Sequence, residues 1–302
     1  LFKKKKIALV LAGGGAKSLC QIGVLKALQR EKIPIDLVVG CSMGAVVGAL
    51  LSLGFTAEKI EEMTLKFCQL KQVRDVEKKF SREGKGIRKI GEFMRELSLY
   101  LIDWLKEGIW REEDLMKGLQ YFIPHNLTFH QTHIPFVCVA TEIKEGKRVI
   151  LKEGNLLSAV VASSTIPGLF TPVREGEKTL VDGGVLSKIP VMAAEKMGAD
   201  FIIAISSGNL TPKEPSRAIE ILIRMNEIRD WELSRIETQL ADFLFSPSVE
   251  KWQWFSFSQA KAIIKEGEKE GERKIHYLKT LLKKSNREKR NLRKSLLPLF
   301  YS

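Results

Sequence analysis

The chain has 302 residues, enough for one large α/β domain or two small ones. Hydrophobic residues make up 44% of it, which excludes wholesale disorder. The net charge of +13 is uneven: residues 251–302 hold 14 Lys and Arg against 5 Asp and Glu. That stretch would be drawn to anionic surfaces, phospholipid headgroups or nucleic acid, or would simply dress a solvated helix and tail.

Residues 6–12 (KIALVLA) form a short apolar run stopped by glycines, the pattern of a buried parallel strand. Residues 16–31 carry a helical stripe with Leu19, Ile22, Leu25 and Leu28. Residues 37–39 are a second buried strand and 45–53 a helix of small and apolar residues. The uncharged stretch 37–57 is long enough to span a bilayer. Its β-branched opening, its serines and its four glycines fit a buried strand, turn and helix better. This order of strand, Gly loop, helix, strand, tight turn and helix is the α/β signature.

Residues 58–122 are charged and helical, with an apolar-aromatic run over 93–110. That region is expected either to cover the sheet or to cap an apolar acyl pocket. Strands are predicted at 135–141, 148–151, 179–181 and 201–206. Helices are predicted at 155–164, at 216–241 with Ile219, Leu222, Ile223, Ile228, Trp231 and Leu240 inward, and at 258–284 with Ala260, Ile263, Ile264, Ile275, Leu278 and Leu282 on one face. No repeat or linker interrupts this, so a single domain over 6–284 is expected, followed by a basic tail over 285–302.

The cysteines Cys20, Cys41, Cys68 and Cys138 form no CxxC pair and no metal-ligand spacing, so no metal is expected. They read as reduced core residues, which suits the cytosol. Lys3 to Lys6 precede too short an apolar run for a secretory leader.

The strongest chemical signal is Gly40-Cys41-Ser42-Met43-Gly44, a GxSxG between a strand and a helix. Such a turn lifts the serine clear of the backbone, and the flanking glycines admit chain too close for a Cβ. The helix start adds partial positive charge, which favours a developing oxyanion. The bland alternative is a packing turn.

The second signal is Gly13-Gly14-Gly15-Ala16-Lys17, whose backbone N–H groups can converge on an anion. A P-loop requires Gly directly before Lys-Ser, but Ala16 stands there. A dinucleotide fingerprint finds Ser18 at its third glycine, and Asp36 precedes the second strand instead of ending it. An oxyanion hole beside Ser42 uses the whole loop.

The serine needs a base. His125, His130 and His133 sit in a polar turn and His276 in the basic C-terminal helix, settings that give no reason to aim at Ser42. Asp182, in Leu180-Val181-Asp182-Gly183-Gly184, ends a buried strand, where α/β sheets place working residues. A plain turn aspartate is its bland alternative.

GGGAK at 13–17, GCSMG at 40–44 and DGG at 182–184 together resemble the patatin-like phospholipases. Ala162 through Pro167 resembles that family's Ser/Pro block, and 241–247 and 260–267 its C-terminal strand and helix, so the resemblance spans about 6–280. It implies a three-layer α/β/α sandwich with a mostly parallel central sheet. It implies a Ser-Asp dyad without histidine, in which Ser42 is nucleophile and Asp182 proton acceptor, with N–H groups around Gly13 to Gly15 forming the oxyanion hole. It implies hydrolysis of lipid acyl esters as phospholipase A, lysophospholipase or carboxylesterase, without a cofactor.

Two positions depart from the family pattern: Ser18 where glycine is common, and Lys188 before Ile189-Pro190 where the family often carries Asn. The partners expected are a lipid or ester substrate and an anionic membrane touching the basic C-terminal region at the inner face, with no nucleic acid. A catalytically weak membrane-surface protein on the same fold is the competing reading.

Overall fold

A computed structural model describes residues 5–82, 108–212, 214–215, 218–283 and 287–301. In chain order the strands are β1 Ile7–Leu11, β2 Leu37–Gly40, β3 Gly108–Trp110, β4 Phe136–Glu142, β5 Lys147–Leu151, β6 Gly168–Phe170, β7 Val173–Glu175, β8 Lys178–Asp182, β9 Phe201–Ile205 and β10 Phe243–Phe245. The helices are α1 Cys20–Arg30, α2 Met43–Ser52, α3 Ala57–Cys68, α4 Lys71–Arg82, α5 Glu112–Leu119, α6 Leu156–Ser164, α7 Gly184–Ser187, α8 Val191–Lys196, α9 Ala218–Leu240, α10 Ala260–Leu282 and α11 Arg287–Phe300. Of the run over 93–110, read as sheet cover or as pocket cap within a helical region, residues up to 107 lie outside the described residues, and Gly108–Trp110 form strand β3, paired with β6, instead of helix.

The main sheet has the hydrogen-bonded order β10-β9-β1-β2-β4-β8-β7, with β5 also paired to β4. From β10 to β4 every pairing is parallel; β5, β7 and β8 join antiparallel. The pairing along β4 decides where the site forms. Cys138 pairs with both Gly40 and Leu151, and Ala140 with both Asp182 and Val149. A strand residue has only two edges, and β5 occupies one of them from Cys138 to Glu142. Strands β2 and β8 therefore share the other edge and approach from opposite directions. The end of β2 and the end of β8 meet head to head.

Residues of β1 alternate between two apolar layers, as the pleat requires. Ile7, Leu9 and Leu11 pack with α1, α2, α6 and α10, while Ala8 and Val10 pack with α8 and the last turn of α9. This is the expected three-layer α/β/α arrangement. Helix α1 and helix α10 meet backbone to backbone: a methyl group on Gly23 would collide with the Ile264 carbonyl, and one on Gly267 with the Cys20 carbonyl. Lys26 ties the same pair by bonding Glu268 and Glu61.

Two expectations change. In α9, Ile228 is 44% exposed, while Glu237 is buried on the inward face. Apolar residues occur all round this helix, and the inward side is chosen by Glu237, which bonds Ser187 Oγ and the Met192 amide. The side chains of Ile219, Leu222 and Ile223 lie outside the described set. The second change concerns the expected tail, which is helix α11, packed on the domain. Its Arg293 is fully buried, bonded to Glu195, Asp242 and the Leu240 carbonyl. A charge pattern read as solvated therefore hides one internal ion-pair cluster. Among the described residues no helix is long and apolar enough to cross a membrane.

Candidate active site

Ser42 follows β2 and directly precedes α2, with φ 52° and ψ −126°. A residue with a side chain resists this conformation, so the surroundings must hold it there. They do so through the backbone. The Cys41 amide donates to the Leu11 carbonyl at 3.1 Å, and the Ser42 carbonyl accepts from the Ala45 and Val46 amides. The Ser42 amide donates to Ser163 Oγ at 3.1 Å, and that hydroxyl donates to the Val139 carbonyl at 2.7 Å. Gly40 and Gly44 flank the turn because a Cβ at Gly44 would strike the Leu11 carbonyl and one at Gly40 the backbone of Ala45. Met43 starts α2 partly buried against the core.

Asp182 lies at the end of β8, 6% exposed, beside Ser42, 7% exposed. Its Oδ1 accepts from the Gly184 amide at 2.7 Å and faces the Cys41 thiol at 3.7 Å. Gly183 carries the chain past the Val139 carbonyl, where a Cβ would not fit. Burial drives the Asp182 carboxyl up to about 6, while hydrogen bonds from Ser42, the Gly184 amide and Cys41 pull the other way. Burial, and then the Asp182 charge, push the Cys41 thiol well above its ordinary range.

The glycine loop lies against the same turn: a Cβ on Gly13 would stand 3.2 Å from Ser42 Cβ. Its amides are not equivalent. Gly13 N–H donates to the Lys188 carbonyl at 2.9 Å and Ala16 N–H to the Trp254 carbonyl at 2.6 Å. Gly14 and Gly15 have φ 148° and 58°, and Gly15 opens a 3-10 helix over Gly15–Leu19. Their N–H groups bond to no acceptor among the described residues. The expectation that the whole loop from Gly13 to Lys17 supplies oxyanion donors is therefore corrected. Gly13 and Ala16 have their amides engaged in holding the loop, so these two are not available as donors. Ser207 Oγ fixes the Gly13 carbonyl at 2.6 Å.

Lys17 is half-buried, and its ammonium is held below the usual range by burial and by the charge of Lys188, against Glu227 and Glu250. Ser18 is fully buried in the 3-10 helix, and it is not among the residues with positive φ. At 188 the backbone carbonyl holds the Gly13 amide, a contact any residue can make, while the lysine's charge acts on Lys17.

No histidine among the four hydrogen-bonds Ser42 or Asp182. His133 packs beside Gly54, the His125 carbonyl accepts from Asn155, and the His276 carbonyl accepts from Thr280. Among the described residues no three His, Cys, Asp or Glu side chains converge as a metal site. Sequence reasoning missed Ser163, Ser207 and the Lys188 and Trp254 carbonyls. Ser163 stood in a quoted motif without a role, and the two carbonyls have no side-chain signature.

Residues 9–195 match the sequence profile of the family described as patatin-like phospholipase. The chain is 27% identical over 216 residues to lysophospholipase NTE1 of Debaryomyces hansenii, an overlap of 71% of this chain and 12% of that protein. It is 30% identical over 227 residues to an uncharacterized NTE family protein of Mycobacterium tuberculosis, overlapping 73% of this chain and 55% of the other. The chain thus spans a small part of the fungal protein and about half of the mycobacterial one. The crystal structure of VipD from Legionella pneumophila has the same fold, with a TM-score of 0.50 at 16% identity over 92% of this chain and 67% of VipD.

Proposed function

The chain belongs to the patatin-like phospholipase family, and on that premise we propose that it is a serine hydrolase of lipid acyl esters working through Ser42 and Asp182. The observation that carries this reading is that Ser42, at positive φ on its turn, lies beside the buried Asp182 carboxylate, whose Oδ1 faces the adjoining Cys41 thiol.

In this mechanism Asp182 accepts the Ser42 Oγ proton as Oγ adds to the ester carbonyl carbon. A carboxylate with its affinity for protons raised toward 6 is ionised at pH 7 yet a better acceptor than an exposed aspartate. The tetrahedral oxyanion takes hydrogen bonds from the free N–H groups of Gly14 and Gly15, each worth about 3–4 kcal/mol of barrier. The leaving alkoxide departs with the proton from Asp182. Water then adds to the acyl-serine, giving its proton to Asp182, and the intermediate collapses as Asp182 returns that proton to Ser42 Oγ, releasing the acid.

A single-chain lysophospholipid is the proposed substrate class, supported by the name of the fungal relative. Contact with anionic lipid is proposed through exposed lysines such as Lys261, Lys265, Lys269 and Lys294 on α10 and α11. The test is labelling by a fluorophosphonate probe alongside hydrolysis of p-nitrophenyl esters and lysophospholipid. Absence of both labelling at Ser42 and turnover would sink the proposal.

A further inference from the structure

Behind the Asp182 turn stands a cation with an unusual set of partners. Arg148, half-buried on β5, donates Nε and Nη2 to the Leu186 carbonyl at 3.2 and 2.8 Å. Its Nη1 donates to the Phe300 carbonyl at 3.4 Å, and its guanidinium lies 4.7 Å over the Phe300 ring. Leu186 belongs to α7, and the first residue of α7, Gly184, gives its amide to Asp182 Oδ1. Any shift of this single turn of helix moves the bond that orients the carboxylate.

The turn is also held from its other side, where Ser187 Oγ donates to Glu237 at 2.5 Å. Phe300 is a firm anchor because α11 cannot slide. Arg293 is buried against Glu195 at 2.6 Å and Asp242 at 2.9 Å, and Arg290 meets Asp200 at 2.7 Å. The last turn of α11, with Leu296, Leu297, Phe300 and Tyr301, packs on the apolar layer that contains Cys41. Helix α11 lies beyond the stretch that matches the family profile.

We propose that Arg148 is a positioning residue for Asp182: by pinning α7 to the end of the C-terminal helix it keeps the carboxylate turned toward Ser42. This rests on Asp182 being the base. Arg148 touches neither Ser42 nor Asp182, so its effect must pass through the Leu186 carbonyl and the Gly184 amide.

The test compares Arg148→Met, Arg148→Lys and Phe300→Ala in the full chain, with a soluble p-nitrophenyl ester and with the rate of fluorophosphonate labelling. In Arg148→Met, kcat and the labelling rate should both fall about ten- to a hundredfold, as for a small misplacement of a reacting group, with KM changed less than twofold. Lysine cannot span two carbonyls as a fork does, so Arg148→Lys should recover only part of the loss. The acid limb of kcat/KM should move to higher pH, because the Gly184 amide bond that lowers the carboxyl is weakened. Phe300→Ala keeps the accepting carbonyl and should retain most of kcat.

A lower melting temperature with kcat, labelling rate and acid limb at parental values would make Arg148 a staple of the fold and overturn the proposal. So would a rise in KM alone. Survival of activity in Asp182→Asn would instead strike the assignment of the base, independently of these variants.

Discussion

The hydroxyl of Ser163 accepts the amide proton of Ser42 at 3.1 Å while donating its own to the Val139 carbonyl. One buried side chain on α6 thus joins the backbone of the nucleophile turn to β4. Ser163→Ala leaves a buried donor and a buried acceptor without partners, a loss of about 1–3 kcal/mol. A lower melting temperature together with a lower kcat is expected. Parental values for both would show that the turn does not depend on this bridge.

Replacing Ser42 separates strain from chemistry. Ser42→Ala should lose all labelling and turnover while keeping the strained φ of 52°. Ser42→Gly should be equally inactive but more stable than Ser42→Ala, by roughly 1 kcal/mol, because glycine accepts this backbone without cost. Thermal melts of the two variants decide the matter, and equal melting temperatures would contradict the strain argument.

Asp182 predicts two opposite pH effects. In the proposed mechanism turnover needs the carboxylate, so kcat/KM should fall about tenfold per pH unit below pH 6, the value to which burial raises the group. Stability runs the other way. The folded chain binds this proton more tightly than the unfolded chain, so its contribution is full below pH 4 and is lost as pH rises through 6. Asp182→Asn should therefore melt above the parent at pH 8, by a margin that shrinks toward pH 4, while losing activity about a thousandfold or more. A variant that melts lower than the parent at pH 8 would mean that the carboxylate's hydrogen bonds outweigh its desolvation.

Gly14→Ala tests the glycine loop. A Cβ there would collide with Ser207 Oγ and stand 2.9 Å from Ser207 Cβ, and φ of 148° strains any L side chain. Displacing the two free amides should lower kcat about a hundredfold or more, with a smaller effect on KM. A parental kcat would remove Gly14 from the site.

Arg293→Met strands Glu195 and Asp242, both buried, without their cation. Removing one partner from such a cluster destabilises by about 3–5 kcal/mol. The melt should recover in part when both carboxylates are also replaced by Gln and Asn. A single variant as stable as the parent would mean that water reaches the cluster.

The nucleophile turn, the Asp motif and the parallel strands were legible because each is announced by residue type: glycines where chain passes chain, and β-branched runs where a strand is buried on both faces. The meeting of Gly40 and Asp182 on one edge of β4 was not legible, because register is set by pairing among distant strands. The loss of the Gly13 and Ala16 amides to carbonyl acceptors was invisible for a related reason, since carbonyls look alike in any residue. The C-terminal helix was misread because charge density signals solvent. Arg293 is buried only through acids on α8 and at the foot of β10, far away in the chain.

The glycine contact between α1 and α10 sets the order in which this protein can become active. Lys26 and Glu268 touch across 242 residues of chain, and closing so long a loop is slow to nucleate. During synthesis the turn bearing Ser42 emerges more than 200 residues before the helix that seats against α1. A nascent chain can therefore carry both Ser42 and Asp182 before the platform that aligns them, and the proposed hydrolytic competence should arrive only once α10 has emerged.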